Sequence, residues 1–533
     1  MRLFRLQQQV MGGDELHAVR LSVETSLGEI LTTFQLTDHS IPLTFLHGAL
    51  MNIGVQPSEL TFRIPVILAG MAVLVWAPWR FEREIGRRAA FLLCWLLATS
   101  PLFVFYSRIA RSYLPMVLLA CIAVMAFYAW STSCSRRAAA AYVLCSASAI
   151  YLHLAAAPFV LAPFGFALIE RYAKPRPDGV SLCSLLCLMA STAVAIGVLF
   201  FPLAGSLLDV IEAKRELSGI AMETLEGAAH LVAGSGSWVA VAFFGAFAAI
   251  GLGRLMRTRT RFALYAVNLA AAQLASLWVL SPFRVEESAV FSRYLLVLFP
   301  FLLSWVAVGV LEFARLLGLA GRLDHAASTA LSVGFVALLV GCGPFFDREL
   351  RASSFMHHND YVDFRCPRAA GSQGEIPGFY RKLREENADD SIIEFPWSPI
   401  WRASRTPYFY QAVHGREVLG SAINKYLSSP KLGFRNLVRP NLDAFLASRA
   451  RYVIVHRDLE SEESNLEIAA CAMRSELAEQ EFNNRHTTGR FIAPARQMLR
   501  RLNSEWGPPI YRDASIEVWD LELQRGKPRA ISR

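Results

Sequence analysis

Residues 181–204 read S-L-C-S-L-L-C-L-M-A-S-T-A-V-A-I-G-V-L-F-F-P-L-A, and none of the 24 is charged. A helix of that length rises about 36 Å at 1.5 Å per residue. That is enough to cross a hydrocarbon core about 30 Å thick. Uncharged runs of 15 residues or more recur from residue 64 to residue 346. The 533-residue chain is 54% hydrophobic and only 18% charged, whereas soluble proteins carry about 25% charged residues. The deficit falls in that one region. The chain therefore reads as a polytopic α-helical membrane protein with a soluble tail.

The spacing predicts spans at 64–79, 89–107, 113–132, 138–153, 155–169, 181–204, 237–253, 262–281, 295–311 and 326–346. Residues 138–169 carry no charge and are flanked by Arg136 and Arg137 on one side and by Arg171, Lys174 and Arg176 on the other. Basic residues favour the cytoplasmic side, so an even number of crossings is expected there, with a turn near Pro158. Loops 80–88, 133–137, 170–178, 254–261 and 312–325 then share one side and carry 15 Lys and Arg, against 6 in loops 108–112, 205–236 and 282–294. The basic side is expected to be cytoplasmic. The net charge of +9 is explained by this asymmetry, and no nucleic-acid partner is called for.

Residues 1–63 are a different material. Met1–Met11 is short and basic, without a signal-peptide core. The apolar stretch 41–55 covers only about 22 Å as a helix and is expected to lie in the interface or to re-enter. From 347 onward the composition turns polar. I-I-E-F-P (392–396) and R-Y-V-I-V-H (451–456) read as buried strands, and 508–521 as a β-hairpin turning near Asp513. A C-terminal soluble α/β domain is expected over 347–533.

Ionisable groups crowd the non-basic side. Gly12–Pro42 holds Asp14, Glu15, His17, Asp38 and His39. Arg108, Arg111 and Tyr113 follow the second span, His153 ends the fourth, and Arg293 and Tyr294 open the ninth. Arginines at outer span ends oppose the charge trend, and phosphate is a natural bidentate partner for a guanidinium. A carboxylate facing arginines suits transfer of a group from a lipid phosphate. The carboxylate acts as general base, and the arginines steady the charge left on the phosphate. A blander reading stands beside each: a solvated Asp14–Glu15 pair, headgroup contacts for Arg108 and Arg111, an interhelical His153, an interfacial anchor at Arg293. No CxxC or Cys/His metal spacing is present.

G-D-E-L-H-A-V (13–19), D-H-S-I-P-L (38–43) and L-T-F-R-I-P-V-I-L-A-G (60–70) together resemble the opening of GT-C superfamily membrane glycosyltransferases. The closest pattern is the bacterial glycosyltransferase 39/83 type, the Rgt-like and aminoarabinose-transferase-like group. S-P-L-F-V-F-Y-S-R-I-A-R-S-Y (100–113), I-Y-L-H-L-A (150–155), F-S-R-Y-L-L-V-L-F-P (291–300) and, more loosely, Y-F-Y-Q-A-V-H-G-R-E-V-L-G (408–420) are similar to segments of that group.

The resemblance implies a polyprenyl-phosphate sugar as donor, a lipid or glycan acceptor in the cell envelope, and a site facing the periplasm. It implies catalytic roles at Asp14 and Glu15, with Asp14 as the base. It implies substrate-binding roles at Asp38, His39, Arg108, Arg111, Tyr113, His153, Arg293 and Tyr294. No organic cofactor is implied, although some relatives use a divalent cation. The group has a full span ahead of its D-E loop where this chain has only Met1–Met11, and often H-P-P-L where this chain has H-S-I-P-L. Residues 1–63 are accordingly expected to be a truncated N-terminus with the catalytic outer loop and interfacial helices. Residues 64–346 are expected to form about ten spans, and 347–533 a periplasmic domain. The rival expectation is a transporter or flippase of a lipid-linked envelope precursor, which would place its ionisable groups near mid-membrane.

Overall fold

The computed structural model describes residues 26–33, 40–53, 59–173, 180–207, 220–280, 288–317, 324–342, 377–386, 390–395, 442–457, 489–514 and 516–526, with 22, 55, 282, 285, 416, 418 and 419. Asp14, Glu15, Asp38 and His39 lie outside the described residues. The chain divides into a helical unit, chiefly Thr25–Gly54 and Phe62–Ser354, and a second unit containing Phe355–Arg533.

The helical unit opens with α1 (Leu27–Thr32) and α2 (Ile41–Asn52). Then come α3 (Glu59–Ile85), α4 (Arg87–Thr99), α5 (Pro101–Tyr106), α6 (Tyr113–Ser133), α7 (Arg136–Leu152), α8 (Ala157–Ala173) and α9 (Leu182–Phe200). It continues through α10 (Met222–Ala233), α11 (Trp238–Thr258), α12 (Thr260–Leu280), α13 (Ser288–Tyr294), α14 (Phe299–Leu316) and α15 (Asp324–Gly341).

Among the described residues, seven helical stretches are long and apolar enough to cross a membrane: Leu60–Ile85, Tyr113–Ser133, Leu154–Tyr172, Leu182–Leu207, Trp238–Thr258, Thr260–Leu280 and Leu296–Leu316. Their outer faces are apolar. Val194 and Val198 on α9 are 66% and 67% exposed, a surface suited to hydrocarbon and not to water. This is a multi-pass membrane protein.

The expected span 89–107 is two helices. Ser100 breaks it, because proline disfavours a helical conformation in the residue before it. Ser100 takes φ −57° and ψ 118°, and Pro101 opens α5. The 13 residues of α4 rise only about 20 Å, and α5 turns the chain at that depth. The loop 205–236 contains α10, which packs against α5 and α13.

Helices α11 and α14 meet backbone to backbone. A Cβ added at Gly251 would run into the Trp305 carbonyl oxygen, and one at Gly309 into that of Phe247. Small residues at such crossings let helices gain dispersion contact in lipid, where no hydrophobic force drives them together. Gly251→Val is expected to destabilise the protein by about 1–3 kcal/mol through overpacking, read as a lower thermal midpoint in detergent. Gly245→Val and Gly253→Val on the same helix have open space and serve as the comparison. Equal midpoints for all three would contradict the crossing.

In the second unit, α16 (Gly378–Glu385), α17 (Leu442–Leu446), α18 (Gly489–Trp506) and α19 (Leu521–Arg525) accompany β1 (Ser391–Phe395), β2 (Val418–Leu419), β3 (Ala450–His456), β4 (Tyr511–Arg512) and β5 (Ile516–Asp520). The sheet order is β2-β1-β3-β5-β4. β1 runs parallel to β2 and β3, and β5 antiparallel to β3 and β4. Alternate residues pack on opposite faces. Ile393, Phe395, Val453, Val455 and Trp519 meet Met498, Leu502 and Trp506 of α18. Ile392, Tyr452, Ile454 and Val518 meet Phe379, Tyr380 and Leu383 of α16. Both faces are covered, which explains why these strands read as continuous apolar runs.

Candidate active site at the helix breaks

Three chain breaks in the helical unit carry the arginines and aromatic rings singled out by sequence. The first is the turn Ser107–Ser112 between α5 and α6, in which Arg108 and Arg111 are buried. The second follows α7, where His153 takes φ −162° and ψ 120° and its Nδ1 accepts from the Ala155 N–H at 3.2 Å. That bond caps a short 3-10 turn, Leu154–Ala156, before α8 begins. The third separates α13, which ends at Tyr294, from a 3-10 turn at Leu296–Leu298 and then α14.

The three breaks converge on Tyr113. Its ring lies 4.9 Å from that of Tyr106 and 5.4 Å from that of His153, centroid to centroid. His153 in turn lies 6.1 Å from Tyr294. The Arg111 guanidinium carbon is 6.0 Å and that of Arg293 5.5 Å from the Tyr113 ring centroid, and Arg293 is also 5.5 Å from that of Tyr294. A tyrosine face attracts cations through its quadrupole, so one ring collects two guanidiniums, Arg111 and Arg293, that stand 182 residues apart in sequence. Arg111, Tyr113, His153, Arg293 and Tyr294 are thus one cluster. Arg108 shares the Arg111 turn, with its backbone N–H bonded to the Phe105 carbonyl at 2.9 Å.

At the opposite ends of the same helices the charges are paired. Arg261 at the start of α12 holds Glu170 of α8 through two bonds of 2.8 and 2.9 Å and reaches Ser131 of α6 at 2.9 Å. Arg315 and Glu312 pair at 2.6 Å, with Arg254 at 3.6 Å. These bonds tie α12 to α8 and α6 and α14 to α11, and the Arg261 guanidinium carbon also lies 5.1 Å from the Tyr128 ring centroid.

Sequence reading passed over two buried cationic or titratable side chains. Arg63, near the start of α3, is 0% exposed. A charge inside the run T-F-R-I-P-V was a visible signal. His47 on α2 is buried. Its Nε2–H donates to the Phe62 carbonyl at 3.1 Å, and its ring meets the Phe62 ring edge-on at 4.7 Å. Burial lowers the His47 pKa from 6.5 to about 4, against the smaller raising effect of that hydrogen bond. An unfolded chain would take up the proton near pH 6.5 and the folded one only near 4. The stability tied to a neutral His47 is therefore fully present above pH 6.5 and lost as pH falls toward 4, on the order of 3 kcal/mol in all. The thermal midpoint of wild type should fall more steeply than that of His47→Gln over this window. Parallel curves would contradict the assignment.

Among the described residues, no group of three or more His, Cys, Asp and Glu is placed to hold a metal ion.

No family model matches the chain. No curated protein matches it either. Solved structures do. The chain is similar to ArnT from Cupriavidus metallidurans in the apo state, at 12% identity and a TM-score of 0.46, over 98% of this chain and 95% of that one. It is similar to ArnT from the same organism bound to undecaprenyl phosphate, at 12% identity and a TM-score of 0.43, over 86% of this chain and 91% of that one. It is also similar to the Archaeoglobus fulgidus oligosaccharyltransferase in complex with zinc and sulfate, at 13% identity and a TM-score of 0.38, over 89% of this chain and 67% of that one.

Proposed function

We propose that this protein is an integral-membrane inverting glycosyltransferase that moves a hexose or pentose from a polyprenyl-phosphate donor to a lipid or glycan acceptor of the cell envelope. The observation that carries the reading is the convergence of Arg111 and Arg293 on Tyr113. Two guanidiniums gathered at one tyrosine ring suit a phosphate monoester or diester. The neighbouring tyrosine and histidine rings suit a sugar or the first isoprene of the carrier.

In the proposed reaction the acceptor hydroxyl attacks the anomeric carbon as the bond from that carbon to the phosphate oxygen breaks. Asp14 takes the hydroxyl proton, and Glu15 orients the loop. Polyprenyl phosphate leaves with the electron pair, and Arg111 and Arg293 hold the charge it gains. Arg108 belongs to the same donor assignment, and Asp38 and His39 are assigned to substrate. A single displacement needs one base and inverts the sugar. The positive-inside distribution supports a Tyr113 end that faces outward from a bacterial inner membrane.

The test offers vesicles carrying the full chain a set of undecaprenyl-phosphate-linked hexoses and pentoses together with an envelope lipid and glycan fraction as acceptor. Free undecaprenyl phosphate and a transferred sugar are expected. Intact donor crossing the bilayer with no cleavage would replace this reading with a flippase.

A further inference from the structure

Gln273 is 0% exposed near the middle of α12. Its single amide nitrogen donates both hydrogens, to the Ala155 carbonyl at 3.2 Å and to the Tyr294 carbonyl at 3.0 Å. Ala155 lies in the 3-10 turn after His153, and Tyr294 is the last residue of α13. A helix that stops leaves carbonyls without an intrahelical donor. In a membrane interior such groups must be satisfied by protein, because water is scarce. Here one side chain from a third helix serves both breaks.

We propose that Gln273 is a positioning residue that clamps these two breaks together and so keeps His153 and Tyr294 within the Tyr113 cluster. The clamp lies at the root of the contacts that His153, Arg293 and Tyr294 make in the site. His153 is two residues from Ala155, and the Tyr294 carbonyl belongs to the residue whose ring meets His153 at 6.1 Å and the Arg293 guanidinium at 5.5 Å. The two bonds join the α7–α8 connection to the end of α13 through the backbone, beside the ring contact of His153 with Tyr294. Its consequence for the donor phosphate rests on the function proposed above. The clamp itself does not.

Three variants of the full chain in detergent test it. Gln273→Met keeps length and volume but donates nothing. Gln273→Glu keeps one donor while its buried carboxyl is protonated. Asn268→Leu removes a comparable side-chain bond from the same helix, from Asn268 to the Ala162 carbonyl of α8 at 2.9 Å, away from both breaks. Amide exchange by mass spectrometry and binding of undecaprenyl phosphate are both read.

Gln273→Met should speed exchange at 154–157 and at 295–298 about tenfold and weaken undecaprenyl phosphate about tenfold, each 1.4 kcal/mol. Gln273→Glu should fall between it and wild type, and it carries the test if Gln273→Met does not accumulate. Asn268→Leu should leave undecaprenyl phosphate binding unchanged. Unchanged exchange at the two breaks in the Gln273 variants, or equal weakening of binding by Asn268→Leu, overturns the proposal. Faster exchange at both breaks in a protein whose wild type ignores undecaprenyl phosphate upholds the clamp and removes the phosphate reading.

Discussion

Asp14→Asn is expected to lower sugar transfer roughly 10²–10⁴-fold, the usual contribution of a positioned general base. Asparagine keeps the shape of the side chain and removes its basicity. Because the base acts only as the acceptor proton leaves, the loss belongs to turnover, and affinity for the donor lipid should stay near wild type. Glu15→Gln should cost less, since Glu15 is assigned to orienting the loop. A dead Glu15→Gln beside a fully active Asp14→Asn would move the base by one residue. Full activity in both would take the catalytic centre out of this loop and bring the flippase reading forward. The assay is release of sugar from a purified lipid-linked donor.

The second large effect is expected at Arg111 and Arg293. Truncating one partner of a buried, hydrogen-bonded charge pair costs about 2–5 kcal/mol, so each single alanine variant should weaken undecaprenyl phosphate binding by about 30-fold or more. The double variant should lose most of it. Lysine should not restore either position, because a point charge lacks the planar fork and stacks less well on Tyr113. The two losses should also be non-additive, since both guanidiniums lie within 6.0 Å of one ring. Additive losses, or binding untouched by the double variant, would separate these arginines from the donor. Titration of purified protein with undecaprenyl phosphate supplies the affinities.

The fold was legible where a single physical constraint dominates. Hydrocarbon excludes charge, so runs such as 181–204 announce themselves. The strands were legible for a related reason. β1 (Ser391–Phe395), β3 (Ala450–His456) and β5 (Ile516–Asp520) are buried on both faces and are rich in apolar residues, and the less buried β4 was legible as the other arm of a hairpin. β2, at two residues, is too short to leave a pattern. The break at Ser100–Pro101 was written in the sequence as a residue before proline, but the apolar run on either side hid it.

The site was legible in part. Arg111, Tyr113, His153, Arg293 and Tyr294 stand at span ends, where charge is conspicuous against apolar neighbours. Their convergence on one tyrosine depends on how three breaks stack, which one-dimensional spacing does not encode. Gln273 carries no charge and interrupts no run, so nothing in the sequence set it apart from an ordinary span residue. Its role comes from the two carbonyls it meets.

The central claim is that the Tyr113 cluster receives the phosphate end of a polyprenyl carrier. Photolabelling tests it most directly, using undecaprenyl phosphate with a diazirine on the first isoprene unit, followed by peptide mapping of the full-length protein in vesicles. The account predicts label on peptides containing Tyr113, His153 or Arg293–Tyr294, competed by unlabelled undecaprenyl phosphate and lost in the Arg111→Ala, Arg293→Ala double variant. Label confined to the basic loops at 80–88 and 254–261, or unchanged in the double variant, would contradict it.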